Sequence, residues 1–502
     1  MRTGINVASN WALYLANIIV AFFLSPYMVR MLGDPAFGAW NVLISLTGYM
    51  GLVDLGTRSA VVKYAAEYYA KKEYETLTSV FYSSFISVAL GGIVLLLGAL
   101  VVRNHAASWL GMSGPLAELF AAAIFPSALA IVLTIGKGII LGHIAGVGRY
   151  DISNLVSSIS LAIRVGGIVF FLSRGGSLPE LAWVLVAVAA ISCPIAFLLL
   201  KRLVPSLRFS LSSLDPRRWR QVVGYGLFAF LNQVAGRISR ESDNIIVSAA
   251  VSITATAYYA IGISLASYLK TFISAAAVVV IPLTSGMEAR QDSEGQWRVT
   301  VLGTRFALCV ALCGTVGFFI LGRDFLTLWL GERFAVNTWP TGLTLFLALI
   351  FASSQQFAGA MLFGRGKAKF PALVMVTSAV VNLILSILLV RKIGVLGVAL
   401  GTLISAVVLE FGLISLYYTP KILSSSRLSY LRQTWVGPLV CLVPSLVCGW
   451  AARSFVEVSG FPQLLEAALL IAAGYFLPAW WICLNTEERA YVSARVFGWA
   501  KR

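Results

Sequence analysis

A run of polar and charged residues within an otherwise apolar region is the part of the sequence best suited to chemistry. Five of these residues recur at i, i+4, i+7, i+8 and i+11, so they share one face of a helix. They are Gln233, Arg237, Arg240, Glu241 and Asn244. Guanidinium groups bind phosphate oxygens through paired hydrogen bonds and lose less on desolvation than ammonium groups do. The face therefore predicts a binding site for an anion, and diphosphate is the leading candidate.

Basic residues are rare inside apolar stretches, and this sequence has seven of them. They are Arg58, Lys137, Arg164, Arg237, Arg240, Lys270 and Arg305. Three of the seven, Arg58, Lys137 and Arg305, lie within about two turns of a predicted helix end, where a long side chain can reach the lipid headgroups. The other four lie nearer the middle of their stretches. We expect these four to line an internal aqueous cavity, with structural ion pairs as the alternative.

Acidic residues in the same stretches are candidates for ion coupling. They are Asp54, Glu241, Asp243 and Glu410. Glu241 follows Arg237 by four residues and Asp243 follows Arg240 by three, spacings that allow ion pairs along one helix. Glu410 has no evident partner nearby in the sequence, so a titrating role and a packing role are both open. H⁺ or Na⁺ is the candidate coupling ion, and no other cofactor is expected.

A second polar stripe, of uncharged residues, runs along the first apolar stretch. Asn6, Asn10 and Asn17 share one face of the helix that this stretch predicts. We expect the stripe to face the same cavity. Asn17, Gln233 and Asn244 are therefore added to the predicted substrate-binding residues.

Cysteine and histidine usage argues against metal chemistry. The six cysteines lie in apolar runs without a CxxC pair, so we interpret them as small hydrophobic residues rather than as a disulfide framework or a zinc site. The two histidines, His105 and His143, are far apart near predicted span ends. We expect both to be solvated loop residues.

The composition places the chain in a membrane. Of its 502 residues, 59% are hydrophobic and 12% are charged, whereas soluble domains are about 45–50% apolar and about 25% charged. Soluble enzymes and nucleic-acid-binding modules are excluded, because a single soluble core could not bury this much apolar surface. The formal net charge of +17 then reflects the Lys and Arg of cytoplasmic loops rather than a nucleic-acid partner.

Charge-free windows mark the membrane spans, because a helix needs about 20 apolar residues to cross the hydrocarbon. They predict about fourteen spans joined by short loops. Most of the 38 Lys and Arg residues fall in the termini and in the loops on the same side, which is therefore cytoplasmic. Both termini are predicted to be cytoplasmic, and the first helix is predicted to be retained rather than removed as a signal peptide.

The sequence contains an internal repeat. Residues 36–49 match residues 255–268 at an offset of 219, and the segment from Gly146 matches the segment from Gly364 at an offset of 218. A duplicated unit of six helices keeps both copies in the same orientation, so the two lobes are parallel and leave a cleft between them. The predicted organisation is a lobe at 1–205, a lobe at 221–420 and two additional helices at 421–502.

Four segments of the chain carry a resemblance to a known family. They are 27–75, 146–154, 242–262 and 364–405. These segments resemble the polysaccharide-biosynthesis flippases of the Wzx kind, and the resemblance extends over about residues 10 to 420. It implies membership of the multidrug/oligosaccharidyl-lipid/polysaccharide (MOP) exporter superfamily, with the fold of the MATE antiporters and the lipid II flippases. The two extra helices resemble those of fourteen-helix members.

The resemblance also implies a function. Such proteins turn an undecaprenyl-diphosphate-linked oligosaccharide from the cytoplasmic to the outer leaflet of the bacterial inner (plasma) membrane by alternating access, for O-antigen, capsule or exopolysaccharide synthesis. Their partners include the lipid-linked glycan, membrane lipids, and the polysaccharide polymerase and chain-length regulator. Cations in the central cavity contact the cargo, and Arg164, Arg237, Arg240 and Lys270 are the positions that match this role by location and type.

Three other functions stay open at this point. A MATE-type drug antiporter shares the fold, but many such antiporters titrate an acid in the first span, and this sequence has none there. A lipid II-type translocase would carry a related cargo. An integral-membrane glycan polymerase or ligase would need a long external loop, and no predicted external loop exceeds about 20 residues. The sequence therefore favours a transporter of a glycolipid over an enzyme.

Overall fold

The computed structural model describes residues 2–207, 216–455 and 457–490, and in these ranges every regular element is a helix. The all-helical fold class predicted from composition is confirmed. The chain divides into two compact units, the first ending at Ala257 and the second beginning at Tyr258. The lobe boundaries predicted from the repeat, at residues 205, 221 and 420, stay predictions.

The first unit contains eight long helices among its described residues. They are α1 (Arg2–Leu32), α2 (Asp34–Met50), α3 (Thr57–Ala70), α4 (Tyr74–Trp109), α5 (Pro115–Gly146), α6 (Tyr150–Leu172), α7 (Leu178–Leu203) and α8 (Pro216–Ala250). A ninth helix, α9 (Ile253–Val278), begins in this unit and continues in the next. The core of the first unit lies among α3, α4, α5 and α7, where side chains such as Val61, Leu77 and Ile140 are almost fully buried.

The second unit holds the remaining described helices. They are α10 (Val280–Ala289), α11 (Ser293–Leu330), α12 (Glu332–Ser354), α13 (Gln356–Gly364), α14 (Lys369–Ile393), α15 (Val395–Ser405), α16 (Thr419–Ile422), α17 (Arg427–Val440), α18 (Leu442–Phe455) and α19 (Phe461–Ile482). A stretch of π-helix, Ala406–Tyr418, joins α15 to α16. We call this stretch the π segment.

Thirteen helical segments in the described part of the chain are long enough and apolar enough to cross a membrane. The protein is therefore a multi-pass membrane protein. The predicted seventh span, α8, is not among the thirteen. With 35 residues it has the length to cross a bilayer, but the charged residues that the sequence analysis singled out lower its hydropathy.

The predicted second span is broken in the middle. After α2 ends at Met50, a turn of 3-10 helix covers Gly51–Asp54, and the chain then passes through two left-handed residues before α3 begins. These residues are Leu55, with φ of 48°, and Gly56, with φ of 73°. The left-handed region is open to glycine because glycine has no Cβ. The first turn of α3 therefore starts inside the predicted span.

The internal repeat extends to helix packing. In the first unit, a Cβ built on Gly146 of α5 would lie 2.9 Å from the carbonyl oxygen of Val62 in α3. In the second unit, a Cβ built on Gly364 of α13 would lie 2.6 Å from the carbonyl oxygen of Ile281 in α10. The two glycines differ by 218 positions and the two carbonyls by 219, the same offsets as in the sequence. In each unit, a glycine thus allows two corresponding helices to approach closely, α3 and α5 in the first unit and α10 and α13 in the second.

The last three helices pack against α11 of the second unit through Arg305. Its Nη1 donates to the carbonyl oxygen of Cys483 at the end of α19, at 2.9 Å, and forms an ion pair with Glu488 at 3.5 Å. Cys309 and Cys483 bring their sulfurs within 3.9 Å at the same place. Arg305 therefore fixes the C-terminal helices to α11 instead of extending to the headgroups.

The expectation of two solvated histidines is wrong for His143. Its side chain is 1% exposed, because α5 continues to Gly146 and carries His143 into the core of the first unit. There the ring packs against Phe81, and Nδ1 forms a hydrogen bond of 3.0 Å with the carbonyl oxygen of Ile139. His105 is exposed, but it lies in α4 rather than in a loop, and its ring stacks on Trp109.

Candidate functional site

The polar face predicted on α8 packs against α2 and the 3-10 turn that follows it. Three pairs of side chains join the two elements, and we call them the α2–α8 polar contact. They are Asn244 with Ser45, Ser242 with Tyr49, and Gln233 with Asp54. The amide of Asn244 donates to the hydroxyl of Ser45 at 3.0 Å. Part of the face is thus covered by a neighbouring helix of the same unit.

An ion pair lies in the middle of this contact. Nη1 of Arg237 is 3.1 Å from Oε1 of Glu241, and the two side chains are 32% and 16% exposed. Glycines on the opposing element make room for the pair. A Cβ built on Gly48 would lie 2.7 Å from Cδ of Glu241, and one built on Gly51 would lie 3.4 Å from Nη2 of Arg237. The pair that the i, i+4 spacing predicted is therefore formed, directly against the backbone of α2 and the turn.

One further charged residue of this face, Arg240, lies close to that pair, and Asp243 lies on the same helix. Arg240 is exposed and folds back along its own helix, with its guanidinium near Gly236 and within electrostatic range of both Arg237 and Glu241. Asp243 is buried, with 1% of its surface exposed. Glu241 therefore has a second cation nearby, in addition to the one it contacts.

Three cations from three helices of the first unit come together at a second place. Lys137 of α5 donates from Nζ to the hydroxyl of Ser160 in α6, at 3.2 Å, and its charge interacts with those of Arg164 and Arg58. We call Arg58, Lys137 and Arg164 the cationic cluster. None of the three forms an ion pair with a carboxylate of the described residues. Like charges held together in this way create a site for an anion.

The break in the second span contributes to the cationic cluster. Arg58 lies in the first turn of α3, and the N-terminal end of a helix carries a partial positive charge. Asp54 accepts a hydrogen bond from the backbone N–H of Arg58, at 3.3 Å, and its carboxylate also bonds the side chain of Gln233. Asp54 thus connects the start of α3 to α8. A discontinuous helix whose N-terminus points into the protein is a recurrent way to bind anionic substrates in transporters.

The sequence analysis placed Arg58 and Lys137 at helix ends and did not group them with Arg164. The signal that could have done so is the pair of glycines at 51 and 56, which favours a break in the span and a helix start beside Arg58. Lys137 and Arg164 are 27 positions apart, on separate helices, so only the packing of α5 on α6 brings them together.

The remaining predicted site residues lie elsewhere. Lys270 is exposed on α9. Asn17 is exposed on α1, and its amide donates to the carbonyl oxygen of Leu13 in the same helix, at 2.8 Å. The stripe of which it is part turns toward α6, since Asn154 donates to Asn10 at 2.6 Å. Lys270 belongs to the second unit, and the hydrogen bond of Asn17 stays within α1.

Glu410 lies in the π segment of the second unit and has partners that its sequence neighbourhood did not reveal. Oε2 accepts from the amide of Gln355 at 3.4 Å, and Oε1 accepts from the hydroxyl of Ser378 at 3.3 Å. Gln355 marks the point where α12 gives way to α13. Two irregular helices therefore meet at a carboxylate that has no ion pair among the residues described.

In the ranges that the structure describes, no group of three or more His, Cys, Asp or Glu side chains is arranged to hold a metal ion. The groups that the structure does bring together are cations and hydrogen-bond donors. Such an arrangement can bind and release an anionic group without forming covalent bonds.

Two known proteins are similar to this sequence over most of its length. The chain is 21% identical over 526 residues to the uncharacterized membrane protein EpsK of Bacillus subtilis (strain 168), covering 99% of this chain and 98% of that protein. It is 22% identical over 407 residues to a candidate O-antigen transporter of Shigella flexneri, covering 81% of this chain and 95% of that protein.

Solved structures share the fold. A lipid II flippase, MurJ, in an inward closed conformation matches with a TM-score of 0.71 at 14% identity, over 94% of this chain and 97% of that one. A multidrug MATE transporter of the MOP superfamily, in an inward-facing conformation, matches with a TM-score of 0.67 at 16% identity, over 81% of this chain and 98% of that one. The model of the polysaccharide biosynthesis protein family matches residues 4–288. This chain therefore belongs to the polysaccharide biosynthesis protein family.

Proposed function

We propose that this protein flips a lipid-linked glycan, and specifically an undecaprenyl-diphosphate-linked oligosaccharide, from the cytoplasmic to the outer leaflet of the bacterial inner membrane. The family supports glycan flipping in general, as do a relative described as a candidate O-antigen transporter and a structural neighbour that is a lipid II flippase. The product would supply the synthesis of a surface polysaccharide, in contact with the polymerase and the chain-length regulator of that pathway.

The observation that carries the proposal is the cationic cluster. Arg58 interacts electrostatically with the carboxylate of Asp54, whereas Lys137 and Arg164 form no ion pair with a carboxylate of the described residues. Such cations are costly in a membrane span unless a mobile anion or water neutralises them. A diphosphate carries several negative charges and many acceptor oxygens, and arginine binds such groups bidentately. Arg58, Lys137 and Arg164 therefore suit the diphosphate that links lipid to glycan.

The mechanism follows from the physical cost of each part of the cargo. Sugar hydroxyls cost several kcal/mol each, about 4–8, when they enter hydrocarbon without a hydrogen-bond partner. The glycan and the diphosphate would cross inside the protein, while the lipid tail stays in the bilayer. Alternating exposure of the site to the two sides would then complete the transfer.

Ion coupling would use a different residue. A carboxylate in a span, held by the neutral donors of Gln355 and Ser378, is expensive as a bare anion. We propose that Glu410 takes up H⁺ or Na⁺ during the cycle. Its position in a π segment supports this role, because such irregular turns frequently mark functional sites.

The test is a deletion of the gene in its native host, followed by mass spectrometry of lipid-linked glycans in inverted and right-side-out membrane vesicles. We expect an undecaprenyl-diphosphate oligosaccharide to accumulate in the cytoplasmic leaflet. The wild-type gene should restore its normal distribution, and so should a Lys71→Ala control, because Lys71 is exposed and pairs with Glu67 outside the candidate spans. Unchanged amounts and sidedness of all lipid-linked glycans, with no related exporter present, would refute the proposal.

A further inference from the structure

We propose that Glu241 is a positioning residue that holds Arg237 when no substrate is bound, and that the diphosphate of the substrate displaces the Glu241 carboxylate from Arg237. The inference rests on the proposed function, because it takes a diphosphate as the ligand. Without substrate, the Glu241 carboxylate contacts the Arg237 guanidinium; with substrate, the diphosphate contacts it instead.

The geometry points to an exchange rather than to a permanent structural pair. Arg237 keeps 32% of its side chain exposed, so an anion can reach it while Glu241 is still in contact. Gly51 leaves open the space beside Nη2 of Arg237. Through Gln233 and Asp54, the same stretch of α8 is connected to the start of α3, where Arg58 belongs to the cationic cluster. A diphosphate bound at the cluster would therefore approach Arg237 along the broken span.

The exchange is balanced in charge and in hydrogen bonds. Arg237 trades one oxygen anion for another, and phosphate oxygens accept the same paired hydrogen bonds that a carboxylate does. The displaced carboxylate of Glu241 does not stay alone, because Arg240 lies within electrostatic range of it on the same helix. No charge of the pair is left isolated in the membrane interior, which would be the main cost of opening it.

The exchange would loosen the contact between α2 and α8. Glu241 fits against Gly48 so closely that a side-chain carbon there would approach it to 2.7 Å, so a shift of Glu241 toward Arg240 removes the central part of the α2–α8 polar contact. The hydrogen bond between Asn244 and Ser45 lies one turn away on both helices. This bond is where the loosening can be measured.

The first experiment measures the affinity of the purified full-length protein for inorganic diphosphate by isothermal titration calorimetry in nanodiscs. An exposed ion pair contributes about 0.2–1 kcal/mol, so Glu241→Gln is expected to bind diphosphate up to about fivefold more tightly than wild type. Glu241→Asp should restore an affinity near that of wild type, and Arg237→Ala should bind more weakly. An affinity of Glu241→Gln equal to or below that of wild type would overturn the inference.

The second experiment follows the helix contact by disulfide cross-linking in a protein whose six native cysteines are replaced. The pair Ser45→Cys and Asn244→Cys should cross-link readily without ligand and more slowly with diphosphate. The matched control is Ser9→Cys with Asn154→Cys, which joins α1 to α6 in the same unit at a native distance of 2.9 Å. Its cross-linking should not respond to diphosphate. Equal responses of the two pairs would contradict a local release at Glu241.

The two proposals can fail separately. If the deletion strain accumulates the glycolipid but Glu241→Gln leaves diphosphate affinity unchanged, the exchange is wrong and the flippase function stands. If diphosphate binds and displaces Glu241 as described but the deletion strain has normal glycolipids, the assigned cargo is wrong and the exchange stands.

Discussion

At the scale of single residues, the main finding is that Lys137 lies within electrostatic range of two other cations of the first unit. Arg58, Lys137 and Arg164 are separated by 79 and 27 positions in the sequence, and their side chains approach only because α3, α5 and α6 belong to the same unit. Like charges at short range destabilise the empty protein. A fold that keeps them together should therefore gain stability when an anion is added, and this gain can be measured.

Removal of one of these cations should weaken the binding of diphosphate without lowering the stability of the protein. We expect Arg164→Gln to weaken the binding of inorganic diphosphate by about tenfold to a hundredfold, because a hydrogen bond to a charged group contributes about 1.5–3 kcal/mol. The midpoint of thermal unfolding without ligand should stay the same or rise, because repulsion with Lys137 is relieved. Calorimetric titration and thermal unfolding of the same preparation test both effects. A lower midpoint with unchanged affinity would mean that Arg164 is a structural residue.

Glu410 is the residue at which ion coupling can be tested. We expect Glu410→Gln to abolish the dependence of flipping on a proton or sodium gradient, because an amide can accept from Gln355 and donate to the hydroxyl of Ser378 but carries no negative charge for either ion. Flipping is measured in vesicles with a pH gradient alone and with a Na⁺ gradient alone, which separates the two ions. The matched control is Glu332→Gln, which is exposed at the start of α12. Gradient dependence that survives in Glu410→Gln would exclude this site.

At the scale of helices, the polar face of α8 could be predicted from the sequence, whereas the breaks and changes of winding within helices could not. The polar face of α8 was predictable because helical spacing alone puts Arg237 and Glu241 together. The partner of that face was not, since the contact depends on two glycines in α2 and the turn that allow close approach. The break before α3 and the π segment around Glu410 were also missed, because apolar periodicity carries no signal for a change in helical winding.

The close approach at Gly48 gives a prediction for the contact between helices. A methyl group there would meet the flexible Glu241 carboxyl at 2.7 Å, so Gly48→Ala should gain less than the stability of about 0.5–1 kcal/mol that replacing a helical glycine by alanine normally brings, because the Glu241 side chain has to move. The matched control is Gly98→Ala in α4, where an added Cβ meets nothing within 4 Å. The thermal midpoints of both variants in one detergent provide the test. Equal midpoints would show that α2 and α8 do not pack this closely.

At the scale of the whole molecule, duplication accounts for more of the architecture than any local motif does. The offsets of 218 and 219 relate not only similar sequences but also the backbone contacts of Gly146 with Val62 and of Gly364 with Ile281. The sequence could reveal this because a repeat is a property of the entire chain and survives the loss of individual motifs. The distribution of Lys and Arg is likewise a property of the entire chain, and it predicts which side of the membrane the loops and termini face.

Orientation can be tested with two serine positions that differ only in their predicted side. Ser173 follows α6 in a loop predicted to face outward, and Ser293 begins α11 beside a loop predicted to face the cytoplasm; both are exposed. In a protein without native cysteines, Ser173→Cys should react with a membrane-impermeant maleimide in intact cells, or in spheroplasts if an outer membrane is present. Ser293→Cys should react only after the plasma membrane is permeabilised. The excess of Lys and Arg is what assigns the cytoplasmic side. The reverse labelling pattern would therefore put the termini outside. The cationic cluster would then take up its anion from the other leaflet.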